Sequence, residues 1–431
     1  MESCQQSVAN VTQVSPEAPY YVKGLVLGLS AYLIGIHLWT WVLTVSVFLG
    51  GRSDFRQLYT AGYMVRTGHS HELYEYNAQR HFQNQLVSPG DIALPFNHLA
   101  YEALLFVPFS LLSYRTAYFT LLGLNVTVLA ITFKFLRPWM KNLAVIYRWL
   151  PPVMFLAFLP VAAALLQGQD SILLLTLLAA SLVSLHSGRE LAAGVLVGLG
   201  LFKFQIVIPI ALLFLVWRRW RFSAGFVLAA ILVGLLSLSL VGLSQVGDYF
   251  RSLLLMSLRL ASPVDQFKYG ISPALMPNLR GLLFGLLDRK FPLFWTQTLT
   301  IVVSLAVLVW VAMVPVRRVT ESFLLAITTS VLVSYHLLIH DMSVLLIPIA
   351  LTLSRFIEAE ATGDRDGRIL ARAAALMFVA PLCESFIPDH FCVVAIPLGV
   401  FLFTLLRHTS GIARGCVNNS IQGAFAGLPK G

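Results

Sequence analysis

The chain reads as a succession of long apolar blocks joined by short polar connections, interrupted twice by longer polar stretches. The blocks lie at about 24–49, 99–112, 116–135, 149–165, 171–185, 191–217, 222–243, 293–313, 319–337, 342–357, 370–386 and 391–406. A helix rises about 1.5 Å per residue, so some 20 apolar residues cover a hydrocarbon layer of roughly 30 Å. The pattern predicts an all-α polytopic membrane protein with about twelve spans. The block at 191–217 is over-long and carries Lys203, Gln205 and Pro209, which predicts either one tilted helix or two short ones meeting near Lys203. The first block runs for about 26 residues, the size of a membrane helix rather than a signal core, so no cleavable leader is expected.

The two polar inserts cover residues 50–97 and 245–292. In the first, Phe55, Leu58, Tyr59, Gly62 and Tyr63 recur at helical spacing, as do Leu73, Tyr76, Gln79, Arg80 and Phe82 with mixed polarity. Two short amphipathic helices at the membrane surface fit that pattern. In the second, residues 250–260 are amphipathic and carry Arg251 and Arg259.

Composition excludes a soluble reading: 58% of the 431 residues are hydrophobic and 12% charged, about half the charged share of a soluble domain. The net charge of +10 resides in cations between blocks, such as Arg218, Arg219 and Arg221 or Arg317 and Arg318. Membrane topology explains them better than nucleic acid does, and no nucleic-acid partner is expected. With a cytoplasmic N-terminus, 99–112 not fully crossing and 191–217 crossing twice, these clusters all fall on the cytoplasmic side. Both inserts, Gln167–Asp170, and His340 with Asp341 then share the opposite face. The division expected is a cytoplasmic tail at 1–23, one transmembrane domain at 24–408 and a flexible tail at 409–431, in the inner (cytoplasmic) membrane with a non-cytoplasmic active face. Oligomeric state is not encoded in any of these patterns. Cys4, Cys383, Cys392 and Cys416 lack metal-ligand spacing.

Polar residues at odds with this background carry the candidate chemistry. Asp54, just beyond the first span, suits a general base for a hydroxyl, or alternatively an ion pair with Arg52 or Arg56. His336 and His340 sit four apart, on one face if helical, with Asp341 beside them. They suit a grip on phosphate, or polar packing at a helix end, better than a metal, because no Glu or third histidine lies nearby to complete a site. Lys203 and Gln205 lie among some 25 apolar residues and need partners or function. Gln167-Gly168-Gln169-Asp170 reads as a tight turn whose amides could bond sugar hydroxyls, and Arg259, Lys268 and Arg280 place cations in the second insert, where an anionic lipid phosphate would explain them.

Asp54-Phe55-Arg56-Gln57-Leu58-Tyr59-Thr60-Ala61-Gly62, then Gly68, Leu73-Tyr74 and Leu105-Phe106-Val107-Pro108-Phe109-Ser110-Leu111-Leu112, follow a recognisable order. So do Gly168-Gln169, Lys203 with Gln205, and the stretch from Ser334 to Pro348. Over roughly residues 50–350 the chain resembles the GT-C superfamily of polyprenyl-phosphate-sugar-dependent glycosyltransferases, and most of all family 87 (DUF2029), which includes polyprenol-phosphate-mannose mannosyltransferases. The family's prolines near 99 and 100 and a Trp before the His are absent.

The resemblance implies a GT-C-like helix bundle and an inverting transfer of a sugar, mannose first, from a polyprenyl-phosphate donor to a lipid or glycan acceptor. It carries Asp54 over as the base and His340 as a donor-phosphate contact; His336, Lys203, Arg259, Lys268 and Arg280 are the further candidates read from the residues themselves for stabilising the leaving phosphate. Arg56, Tyr59, Gln169, Gln205 and Asp341 would be substrate contacts. No nucleotide diphosphate leaves, so neither a metal nor a cofactor is expected. A transporter or flippase for a lipid-linked sugar, and a non-catalytic scaffold of the same fold, are the rival readings.

Overall fold

The computed structural model describes residues 20–257, 268, 270–287, 290–316, 318–385, 387 and 390–426, and the regular elements among them are helices. Those of eight residues or more run in order α1 (Tyr20–Val47), α2 (Phe55–Arg66), α3 (Tyr76–Leu86), α4 (Tyr114–Leu136), α5 (Leu150–Ala157), α6 (Leu159–Gln167), α7 (Ser171–His186), α8 (Glu190–Gly198) and α9 (Phe204–Val216). They continue with α10 (Trp220–Val241), α11 (Ser244–Ser257), α12 (Leu279–Leu287), α13 (Leu293–Ala312), α14 (Val319–Val333), α15 (Leu346–Ser354), α16 (Arg365–Val379) and α17 (Ala395–Ala426). By length and composition, five described helices can cross a membrane, or seven if each of two bent pairs is one span. The chain is therefore a multi-pass helical membrane bundle. α1 is apolar all round yet buries only Ser30, Leu33 and His37, as expected of a helix facing lipid. At the centre stands α14, buried at every position from Glu321 to Val333.

At each bend a side chain from another part of the chain takes up backbone groups that the helix leaves unbonded. α5 and α6 meet at 57° around Phe158, where the sequence pattern suggested one block. Pro160 has no N–H to give the Leu156 carbonyl and its ring crowds that oxygen. His37 Nδ1 of α1 takes up the orphaned carbonyl at 3.0 Å. α8 and α9 meet at 61°. Of the two forms expected for 191–217, the chain takes the broken one, and α8, with nine residues, spans only about 14 Å. The Tyr101 hydroxyl bridges the break, donating to the Leu199 carbonyl at 2.8 Å and accepting from the Phe202 N–H at 2.9 Å. Residues 99–112 form only short turns, consistent with a segment that does not cross.

The described parts of the two polar inserts pack on each other. α2 and α3 are the two short amphipathic helices expected of the first. Gln79 and Gln83, one turn apart on α3, clamp the irregular segment beside them. Gln79 donates to the Leu73 carbonyl and accepts from the Phe96 N–H, both at 2.7 Å. Gln83 pairs with both backbone groups of Leu94 at 2.7 and 3.0 Å. Tyr74 then meets α11 of the second insert, its ring 4.9 Å from that of Tyr249 and its N–H 3.2 Å from Gln245 Oε1. One end of the bundle is thereby roofed.

Candidate active site

Under that roof lies a cavity of about 500 Å3. Its polar floor is contributed by Asp54, Gln169, Lys203, Gln205, His336, His340 and Asp341, and Lys268 reaches it from the second insert. Apolar walls come from Phe202 and Phe204 at the α8–α9 break and from Phe250, Leu253, Leu254 and Met256 of α11.

Asp54 is placed by the aromatic residue after it. Phe55 is fully buried and stacks on Tyr114 of α4 with centroids 5.5 Å apart, among the rings of Tyr59, Phe106, Phe109 and Tyr118. Asp54 holds the position that usually caps a helix, yet its side chain does not cap α2. It accepts instead from Gln169 Nε2 at 2.6 Å and lies 3.9 Å from His340 Nδ1. The ion pair with Arg56 is not formed: Arg56 turns into the insert, toward the Gly51 carbonyl, Asn84 Oδ1 and the Ser88 carbonyl. Tyr59 likewise spends its hydroxyl on the Leu112 carbonyl at 2.7 Å.

The 167–170 turn reaches Asp54 because Gly168 ends α6 in the left-handed conformation, φ +63. There the Gln169 N–H returns to the Ala164 carbonyl at 2.9 Å and the Gly168 N–H to that of Leu165 at 3.3 Å, closing the helix with a Schellman motif. A Cβ at Gly168 would stand 2.8 Å from Phe55 Cβ. The same glycine thus lets the turn bend and lets Phe55 approach.

Lys203 opens α9 and is 4% exposed. Its Nζ lies 3.1 Å from Asp170 Oδ1, 3.1 Å from Asp341 Oδ1 and 3.2 Å from Gln169 Oε1. An ammonium has three protons, and here each has an acceptor, leaving none for a phosphate. Asp341 also receives Ser171 Oγ and the Leu338 N–H, each at 3.1 Å. His340 sits in the middle, with Nδ1 2.8 Å from Gln167 Oε1 and Nε2 3.5 Å from Asp341 Oδ1.

His336 and His340 do not share a helical face. α14 ends at Val333, residues 334–338 are irregular, and a 3-10 segment begins at Ile339. Asp341 causes this locally by capping that segment through the Leu338 N–H. Both histidines line the cavity nonetheless. Arg280 lies behind them, its guanidinium 4.0 Å from the Tyr335 ring and donating to the Tyr335 carbonyl at 2.9 Å. Lys268 lies over the Tyr76 ring at 5.0 Å. Arg259 and Arg317 lie outside the described residues.

Reasoning from sequence passed over His98 and Glu102. His98 Nδ1 is 2.6 Å from Glu102 Oε2 and 3.5 Å from Asp170 Oδ2, all three residues being buried. Burial, with Asp170 alongside, pushes the Glu102 carboxyl well above its usual range, and burial pulls the His98 imidazole down to about 4. Their ligand atoms and one from Asp170 lie within 4.8 Å of one another, close enough to share a metal ion; the Lys203 ammonium already supplies a cation at Asp170. A signal was present in the sequence, an acid four residues after a histidine inside an apolar block.

A polar cluster in a half-apolar cavity, at one roofed end of a helical bundle, is the candidate active site of a multi-pass membrane protein. The chain matches the sequence model of glycosyltransferase family 87 over residues 101–340, more than half its length, and belongs to that family. It is a glycosyltransferase. The matched region ends on His340 and begins beyond Asp54. No curated protein and no solved structure was found to match the chain.

Proposed function

We propose that this glycosyltransferase moves a sugar, mannose being the first to test, from a polyprenyl-phosphate donor to a hydroxyl of a lipid or glycan acceptor. The observation that carries the reading is Asp54. Its carboxylate is 26% exposed at a cavity with a polar floor and apolar walls, held by Gln169 and beside His340. In the reaction Asp54 takes the acceptor's hydroxyl proton as that oxygen bonds to the anomeric carbon. The bond from the anomeric carbon to the phosphate oxygen breaks on the opposite face, and polyprenyl phosphate leaves with the electron pair, so the configuration inverts. His340, His336 and Lys268, which line the cavity, are suited to the charge growing on that phosphate. The apolar side of α11, with Phe250 and Leu254 more than half exposed, gives a polyprenyl chain a surface on which to approach.

On the same reading the chain crosses about twelve times as one transmembrane domain, with both inserts on the non-cytoplasmic side of the cell membrane. The positive residues of the short connections support that orientation. The test is purified protein in nanodiscs, offered a panel of polyprenyl-phosphate sugars and extracted membrane lipids. Asp54→Asn should lower kcat by about 10²–10⁴-fold with donor binding intact, and His340→Ala should weaken donor binding most. Near-normal turnover by Asp54→Asn removes the base assignment. Lipid translocation without sugar transfer would replace the whole reading.

A further inference from the structure

We propose that Gln169 is a positioning residue, whose side-chain amide is a one-way relay from Lys203 that aims the Asp54 carboxylate at the acceptor hydroxyl. The inference rests on Asp54 being the base.

The amide has a single workable orientation. Lys203 Nζ stands 3.2 Å from one end and Asp54 Oδ2 2.6 Å from the other. An ammonium only donates and a carboxylate only accepts, so the oxygen must face Lys203 and the NH2 must face Asp54. The reverse orientation would set NH2 against an ammonium and a carbonyl against a carboxylate, both repulsive. Lys203 cannot turn aside, because Asp170 and Asp341 hold it at 3.1 Å each.

The backbone of Gln169 is fixed as well. Its N–H bonds to the Ala164 carbonyl at 2.9 Å and its carbonyl accepts from Asn125 Nδ2 at 3.2 Å. The side chain is 2% exposed, enclosed on all sides but the one facing the cavity. Asp54, by contrast, is held by no cap bond to its own helix. The amide of Gln169 is therefore the short contact that fixes where its carboxylate points.

Three variants decide the matter in the purified full-length protein, with polyprenyl-phosphate sugar as donor. Gln169→Leu removes the donor to Asp54 and should lower kcat about ten- to a hundredfold, the worth of one charge-assisted hydrogen bond. Both KM values should stay within about twofold. Gln169→Glu is nearly isosteric and keeps an oxygen toward Lys203, but sets a second oxygen against Asp54 where the donor was. The relay requires it to be slower than Gln169→Leu. A space-filling or Lys203-anchoring role requires the opposite order, and that order would overturn the proposal. A raised KM with unchanged kcat would overturn it too, in favour of direct substrate contact.

Melting curves check that each variant folds, and Gln169→Met replaces the leucine variant if it does not. In an Asp54→Asn background, Gln169→Leu should leave the residual rate unchanged; a further tenfold loss there would count against the relay. Failure of the underlying reading is distinct, since Asp54→Asn alone would then turn over near-normally.

Discussion

Replacing Lys203 with methionine strips one cation from beneath two carboxylates that water cannot reach. Asp170 and Asp341 are 5% and 2% exposed, and each has an oxygen 3.1 Å from Nζ. At an effective dielectric near 20 each contact is worth about 5 kcal/mol of attraction, set against the cost of desolvating all three groups. Breaking a buried pair by removing one partner typically costs about 3–5 kcal/mol, because the other charge remains buried and unpaired. Two carboxylates are left here, so Lys203→Met should lose at least that much. Thermal melting followed by size-exclusion retention in detergent would register it as a large fall in midpoint. Lys203→Met combined with Asp170→Asn should recover part of the loss, since one stranded charge is removed, and the two changes should be non-additive by at least about 1 kcal/mol. The reasoning is refuted if Lys203→Met melts with the wild type while its donor KM rises. Lys203 would then be a phosphate ligand and the three short contacts incidental.

Gly168→Ala should cost about 1–3 kcal/mol, combining a left-handed backbone with a Cβ driven 2.8 Å from Phe55 Cβ. Because Asp54 precedes Phe55, kcat should fall as well, and a variant with normal melting and turnover would contradict the packing described. Glu102 gives a pH-dependent expectation. Its carboxyl is raised by burial, so the folded protein holds a proton that the unfolded chain releases, and stability falls as pH rises toward the raised value. Glu102→Gln, neutral at every pH, lacks that slope. Its melting midpoint should therefore gain on the wild type as pH rises above the usual carboxylate range toward the raised value. A gap between the two proteins that stays constant with pH would rule this out.

Much of the site was legible because charge in an apolar stretch is expensive. Asp54, Lys203, His340 and Asp341 stand out against their surroundings, and all four line one cavity. Their mutual roles were not legible. Lys203 reads as a free cation until Asp170, Asp341 and Gln169 are seen to use up its protons. Arg56 sits two residues from Asp54, yet its bonds go to Asn84 and Ser88 some thirty positions on. The break at 199–203 is suggested by Lys203 and Gln205, but the hydroxyl that closes it comes from Tyr101, a hundred positions away.

The sequence by itself determined the class: a multi-pass helical bundle with two polar inserts. Lipid thickness sets the length of an apolar block, and every backbone polar group inside lipid must be bonded within its own helix. Those are local requirements and leave a local trace. The tertiary structure alone decided which polar side chains meet beneath the roof, where α5–α6 and α8–α9 bend, and which way the Gln169 amide faces. Each depends on whether a donor or acceptor distant in sequence arrives within about 3 Å, and hydrogen-bond satisfaction is settled by neighbours in space.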